Sequence, residues 1–176
     1  MKTQQTAPPK LFIGIDIHKR SWKVHCATNL SMGRTFSMSP DPKGLWEYVE
    51  RHFPGHDVST AYEAGCCGYR AHRCFEGYGW HSLVVNPADI FRRGKERHTK
   101  TDRIDAQLIA RELKDGRLEC IEVPDRCREQ LRSLFRRRND LVKDMRQTKS
   151  YIKMQLLYYG IEVPEVYDND HWSHGF

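Results

Sequence analysis

Leu11-Phe12-Ile13-Gly14-Ile15-Asp16-Ile17 is apolar at every position except Gly14 and Asp16. A short apolar run bounded by polar residues is the pattern of a strand buried on both faces. Working outward, Ser21 to Ala27 alternates well enough to follow as an antiparallel partner. Arg34 to Met38 offers a third strand that stops at the turn signal Ser39-Pro40-Asp41-Pro42. Leu45, Tyr48, Val49 and Phe53 then recur at helical spacing up to Pro54-Gly55. Val58 to Glu63 reads as a strand, Gly68 to Tyr78 as a helix, and Trp80 to Asn86 as a strand halted by Pro87. The order βββαβαβ, followed by a helix, predicts an α/β domain on a mixed sheet.

That following helix is expected from Asp102 to about Lys114, with Ile104, Leu108, Ile109 and Leu113 on its buried side and Gly116 as its stop. After Pro124 neither Pro nor Gly interrupts the chain before Gly160, so one long helix can run to Tyr159. Its apolar positions Cys127, Leu131, Leu134, Leu141, Met145, Ile152 and Leu156 keep a near 4-3 spacing, with Arg138 and Thr148 at the two interrupted positions. Such a stripe predicts a coiled-coil arm or a homodimer seam; an ordinary long helix lying on its own domain is the alternative. The expected organisation is a leader at 1–10, the α/β domain at 11–123, the coiled-coil helix at 124–160, and at 161–176 the start of a linker to a further domain.

Of the 176 residues 39% are hydrophobic, 11% aromatic and 30% charged, and the mean hydropathy is −0.74. That is too polar for a membrane protein and too aromatic for a disordered one. No stretch approaches the roughly 18 apolar residues of a spanning helix, so a cytoplasmic location without a membrane partner is expected. The net charge is +6, and residues 125–153 hold ten basic against four acidic side chains, so this segment accounts for all of it. Arg136, Arg137, Arg138, Lys143, Arg146 and Lys149 lie there. A second basic stretch, Arg92, Arg93, Lys95, Arg97, Lys100 and Arg103, precedes and enters the helix at 102. Both are candidate phosphate contacts for a polyanionic partner; a solvated surface is the alternative.

Six cysteines form no C-x-x-C pair, which argues for reduced thiols partly in the core. Cys66-Cys67 with His72 and Cys74 invites a zinc reading, but adjacent cysteines are too close for ordinary tetrahedral spacing. Trp22, Trp46, Trp80 and Tyr69 are read as packing residues. His18 is placed either beside the site or on the surface.

Four carboxylates stand out. Asp16 lies inside an apolar strand, Glu63 ends another, and Asp102 and Asp105 are three apart on one helix and share a face. A charge inside a buried strand is costly unless it is paired or binds metal. Convergent carboxylates from several elements suit divalent ions that serve phosphoryl transfer. Each also has a simpler reading: a strand-end hydrogen-bonding group for Asp16, a loop carboxylate for Glu63, an N-cap for Asp102 and a solvated first-turn acid for Asp105.

Gly14-Ile15-Asp16-Ile17-His18-Lys19, Tyr62-Glu63-Ala64-Gly65, Asn86-Pro87 and Lys100-Thr101-Asp102-Arg103-Ile104-Asp105-Ala106 resemble, in order, the motifs of the DEDD-type insertion-sequence transposases, the IS110 family of RNA-guided recombinases. The similarity covers about residues 11–165. It implies an RNase H-like (RuvC-like) domain in which Asp16, Glu63, Asp102 and Asp105 are the catalytic, metal-binding acids for Mg²⁺ or Mn²⁺, and a coiled coil in the basic helix. The implied partners are DNA, a guide (bridge) RNA and further copies of the chain. The family's nucleophilic serine belongs to a separate C-terminal domain, and neither Ser150 nor Ser173 has a matching context. The competing expectations are a self-sufficient junction-resolving nuclease, a sugar-kinase or actin-like nucleotide-binding fold, and a non-catalytic nucleic-acid-binding or assembly module. The kinase-like reading lacks a second glycine-rich phosphate loop.

Overall fold

The apolar run quoted above forms β1 (Lys10–Ile17) in the computed structural model, which describes residues 7–31, 33–90 and 102–165, with the backbone alone for Asp102, Arg103 and Ile104. β2 (Trp22–Thr28) pairs with β1 antiparallel, and β3 (Arg34–Met38) pairs antiparallel with β2. On the other side β4 (Asp57–Glu63) runs parallel to β1, and β5 (His81–Val85) parallel to β4. The sheet order is β3-β2-β1-β4-β5. β1 is central, which is why it is apolar on both faces.

Alternation along the strands decides what each face buries. Leu11, Ile13 and Ile15 of β1 pack with Val58 and Tyr62 of β4 into one core cluster, together with Leu45 and Val49 of α1 (Pro42–His52) and Ala71 and Phe75 of α2 (Arg70–Gly77). Ala61 packs on the opposite face with Leu108, Ile109 and Leu113 of α3 (Asp102–Lys114), joined by Phe12 and Leu83. This mixed sheet with helices on both faces is compatible with an RNase H-like fold.

Local chemistry sets the helix ends. The Asp41 carboxylate accepts from the N–H groups of Lys43 and Gly44, both at 3.1 Å, and Pro42 opens α1. The helix expected from Gly68 begins instead at Arg70, because Gly68 sits in a turn at φ +63° and ordinary helical backbone starts only after it. α3 ends on Gly116, also at positive φ, and the chain folds back so that Arg117 Nε and Nη2 donate to the two oxygens of buried Glu112 at 2.7 and 3.0 Å.

The Arg117 guanidinium holds the Glu112 carboxyl below its ordinary value of 4.5. The unfolded chain therefore binds this proton more readily than the folded one, and the contribution to stability is fully present above pH 4.5 and is lost as pH falls through the lowered folded value. Glu112→Gln should accordingly lower the melting temperature at neutral pH and flatten the acid limb of the stability curve. An acid limb identical to wild type would remove Glu112 from it.

The chain divides into two compact units, Met1–Val123 and Pro124–Phe176. The second contains α4 (Arg126–Tyr158), capped by Asp125, whose carboxylate accepts from Arg128 N–H at 2.8 Å, and closed at Gly160. No residue of α4 is buried.

Candidate active site

Gly14 decides where α3 lies. A Cβ at this position would stand 2.2 Å from the Ala106 carbonyl oxygen and 2.4 Å from the Ala110 nitrogen, so the helix backbone rests directly on β1. Its direction follows from its other end, where Lys114 Nζ donates to the carbonyl oxygens of Thr28 and Asn29 at 3.0 and 3.4 Å. Thr28 is the register partner of Leu11, near the start of β1. The N-terminal end of α3 is thereby directed towards the end of β1 that carries Asp16.

Asp16 lies two residues beyond Gly14 and so on the same face of the strand. Ile15 is the register partner of Tyr62, so Asp16 and Glu63 are the next positions on neighbouring parallel strands, about 5 Å apart in the hydrogen-bonding direction. Glu63 shares the α3 face with Ala61, and its Oε1 is inaccessible to solvent. Asp105 precedes Ala106 on α3 and is buried, so it is not the solvated first-turn acid that helix spacing alone allows. Asp102, one turn earlier, opens the helix. Three elements thus bring their carboxylate-bearing positions to one end of the sheet. Asn86-Pro87 follows β5 at the same end, with Asn86 Oδ1 accepting from Ala88 N–H at 3.3 Å.

Among the described residues no group of three His, Cys, Asp or Glu side chains is close enough together to hold a metal ion, and the Asp102 side chain lies outside them. Arg92, Arg93, Lys95, Arg97 and Lys100 also lie outside the described residues, as does the side chain of Arg103. Arg136, Arg137, Arg138, Lys143, Arg146 and Lys149 are all carried by α4.

His18 was open between a place beside the site and the surface, and the second role of Tyr62 went unread in the sequence. His18 Nε2 lies 3.1 Å from Asp16 Oδ2, a contact that limits the rotation of the carboxylate. Tyr62, next to Glu63 but on the opposite face, donates through its hydroxyl to the Gly68 carbonyl at 3.2 Å and accepts from His72 N–H at 3.4 Å. It pins the loop that follows Glu63, and burial pushes its own pKa up to about 12. Its place two residues after Thr60 in an apolar strand signalled packing, not this second role.

Residues 13–161 match the family model of the DEDD-type IS110 transposases, whose description reads "Transposase". The chain belongs to this family. Two curated relatives of this chain come from Sinorhizobium fredii (strain NBRC 101917 / NGR234). "Putative transposase y4qE" is 36% identical over 103 residues, covering 58% of this chain and 26% of the relative. "Putative transposase y4rJ" is 28% identical over 174 residues, covering 86% of this chain and 42% of the relative. The chain therefore spans less than half the length of the curated relatives it matches. No helix among its described residues is long and apolar enough to cross a membrane.

Proposed function

We propose that this chain is the metal-dependent, RuvC-like catalytic portion of a DNA transposase, with Asp16, Glu63, Asp102 and Asp105 as its acids. The observation that carries the reading is the placement of Asp16 and Glu63 on neighbouring strand ends, under a helix that Gly14 lets close enough to bury Asp105. The donor set consists of hard carboxylate oxygens, which fits Mg²⁺ or Mn²⁺ and no softer metal. When bound, such an ion supplies Lewis acidity to the oxygens of a scissile phosphate. The chain's own residues set the frame: β1 and β4 fix Asp16 and Glu63 side by side, α3 brings Asp102 and Asp105, and His18 orients the Asp16 carboxylate.

Under this reading the attacking serine comes from another domain of a longer protein, as the family resemblance implies; the curated relatives extend well beyond the matched region. The basic side chains of α4 and the 92–103 stretch contact DNA and guide RNA through phosphates, and the α4 stripe pairs copies of the chain. The location is cytoplasmic.

Thermal melts test the acids without requiring strand exchange. Mass action stabilises the folded state by about 2.7 kcal/mol at a metal concentration 100-fold above Kd, so Mg²⁺ or Mn²⁺ should raise the melting temperature by several degrees. Asp16→Asn with Asp105→Asn should abolish that response and, by relieving carboxylate repulsion, should melt no lower than wild type in EDTA. No metal response in wild type, or an equal one in the double variant, overturns the assignment.

A further inference from the structure

On the opposite side of β1 from α3 there is an open cleft of about 570 Å³, lined by residues that include Ile17, His18, Lys19, Cys66, Cys67 and Arg70. We propose that this cleft seats a single DNA strand, with Lys19 and Arg70 holding the phosphates next to the one that is cut. The proposal rests on the reading above for its direction, since it makes the cleft the approach to the acids.

Position is the first argument. Ile17 belongs to the face of Leu11, Ile13 and Ile15, whereas Asp16 points to the face of α3. His18 joins the two: it lines the cleft and contacts Asp16 Oδ2 at 3.1 Å. A strand lying in the cleft is therefore one side chain away from the acidic end of β1.

Charge is the second. Among the described residues the lining contains Lys19, Arg70 and His18 and no Asp or Glu. Lys19 and Arg70 are exposed, and among the described residues neither is paired with a carboxylate. Cations held at a concave surface without counter-charges are what a polyphosphate backbone needs. The volume falls within the roughly 300–1,000 Å³ of ligand clefts, room enough for a few nucleotides of one strand. Exposed Pro40 offers an apolar edge against which sugars and bases can lie. Trp22, although it lines the cleft, is buried edge-on against Phe75 and offers no open stacking face. Affinity should therefore be dominated by phosphate contacts and depend little on sequence.

The cleft carries its own reporters. Cys66 and Cys67 are exposed and line it, while Cys120 is exposed but does not. Burial and the neighbouring Cys66 thiol raise the Cys67 pKa, so alkylation is best followed at mildly alkaline pH.

The test uses the whole chain in EDTA with a fluorescein-labelled single-stranded DNA. Lys19→Glu with Arg70→Glu should weaken binding about tenfold or more and flatten the log–log salt slope by about 1–1.5, at about 0.7 per phosphate contact. The control pair Lys10→Glu with Arg51→Glu carries the same charge change on exposed residues outside the cleft and should have the smaller effect on both. In wild type, the DNA should slow iodoacetamide alkylation of Cys66 and Cys67 several-fold and leave Cys120 unchanged, as read by peptide mass spectrometry. Equal weakening by the two charge-reversal pairs, or unprotected Cys66 and Cys67, overturns the proposal. Stronger protection by an RNA of the same sequence overturns its assignment to DNA. Because EDTA removes the metal, protection found alongside a chain whose melting ignores Mg²⁺ would uphold the cleft and reject the acids' proposed role, and the reverse result would do the opposite.

Discussion

Gly14→Ala is expected to lower the melting temperature of the chain by about 10 °C, corresponding to about 3 kcal/mol of overpacking. The new methyl group would meet the Ala106 carbonyl oxygen at 2.2 Å and the Ala110 nitrogen at 2.4 Å. Both are backbone atoms of a helix, so no side-chain rotation relieves the clash, and α3 itself has to move away from β1. That movement loosens Leu108, Ile109 and Leu113 on the sheet and carries Asp105 away from the ends of β1 and β4. Stability and metal response should therefore fall together in this variant, whereas Asp16→Asn with Asp105→Asn should lose the response alone. Gly77→Ala is the matching control. A Cβ there has no neighbour within 4 Å, and alanine favours helix over glycine by about 1 kcal/mol, so its melting temperature should hold or rise slightly. A Gly14→Ala chain that melts like wild type would show that the helix does not rest on β1 as described.

The contact at Gly14 also separates what could be read in the sequence from what could not. The succession of strands and helices along the chain was legible, because burial on both faces leaves β1 apolar and because Pro, Gly and Asp mark the ends of nearly every element. Asp16 stood out for the same reason, as a carboxylate where such a strand does not tolerate one, and Glu63 as an acid that ends another strand. The burial of Asp105 was not legible. Helix spacing fixes only that it shares a face with Asp102, and whether that face meets solvent or strand depends on a glycine some 90 residues earlier in the chain. The cleft was hidden in a similar way, since Lys19 follows β1 and Arg70 opens α2, about 50 residues apart, and each looks like an ordinary surface cation by itself. Gly68 shows the limit for element boundaries: its place before a periodic run suggested a helix start, but its left-handed backbone belongs to the turn that Tyr62 fastens.

The α4 stripe supports the other large effect. Leu131, Leu134, Leu141, Met145 and Ile152 are between 36% and 67% exposed along a helix of 33 residues, about 50 Å long. Covering this stripe would be favourable, since each leucine gains about 1.5–3 kcal/mol on full burial. A second copy of the same helix is the simplest cover, because symmetric homo-oligomers dominate among soluble assemblies and the 4-3 spacing matches the seam of a two-stranded coil. Arg137 and Arg138 flank a shallow depression formed with Leu134, Leu141, Val142 and Met145, so an apolar side chain of a partner would enter between guanidinium groups. Arg138, within the seam, would weaken the dimer while fixing its register, as polar core positions do. Sedimentation at tens of micromolar should therefore report a dimer or larger species, and Leu134→Asp with Leu141→Asp should shift it to monomer without changing the melting of the α/β unit. The apolar gain lost and the carboxylates buried in the seam together amount to more than about 5 kcal/mol per dimer, a change of more than about a thousandfold in Kd. A wild-type chain that sediments as a monomer under those conditions would overturn the seam.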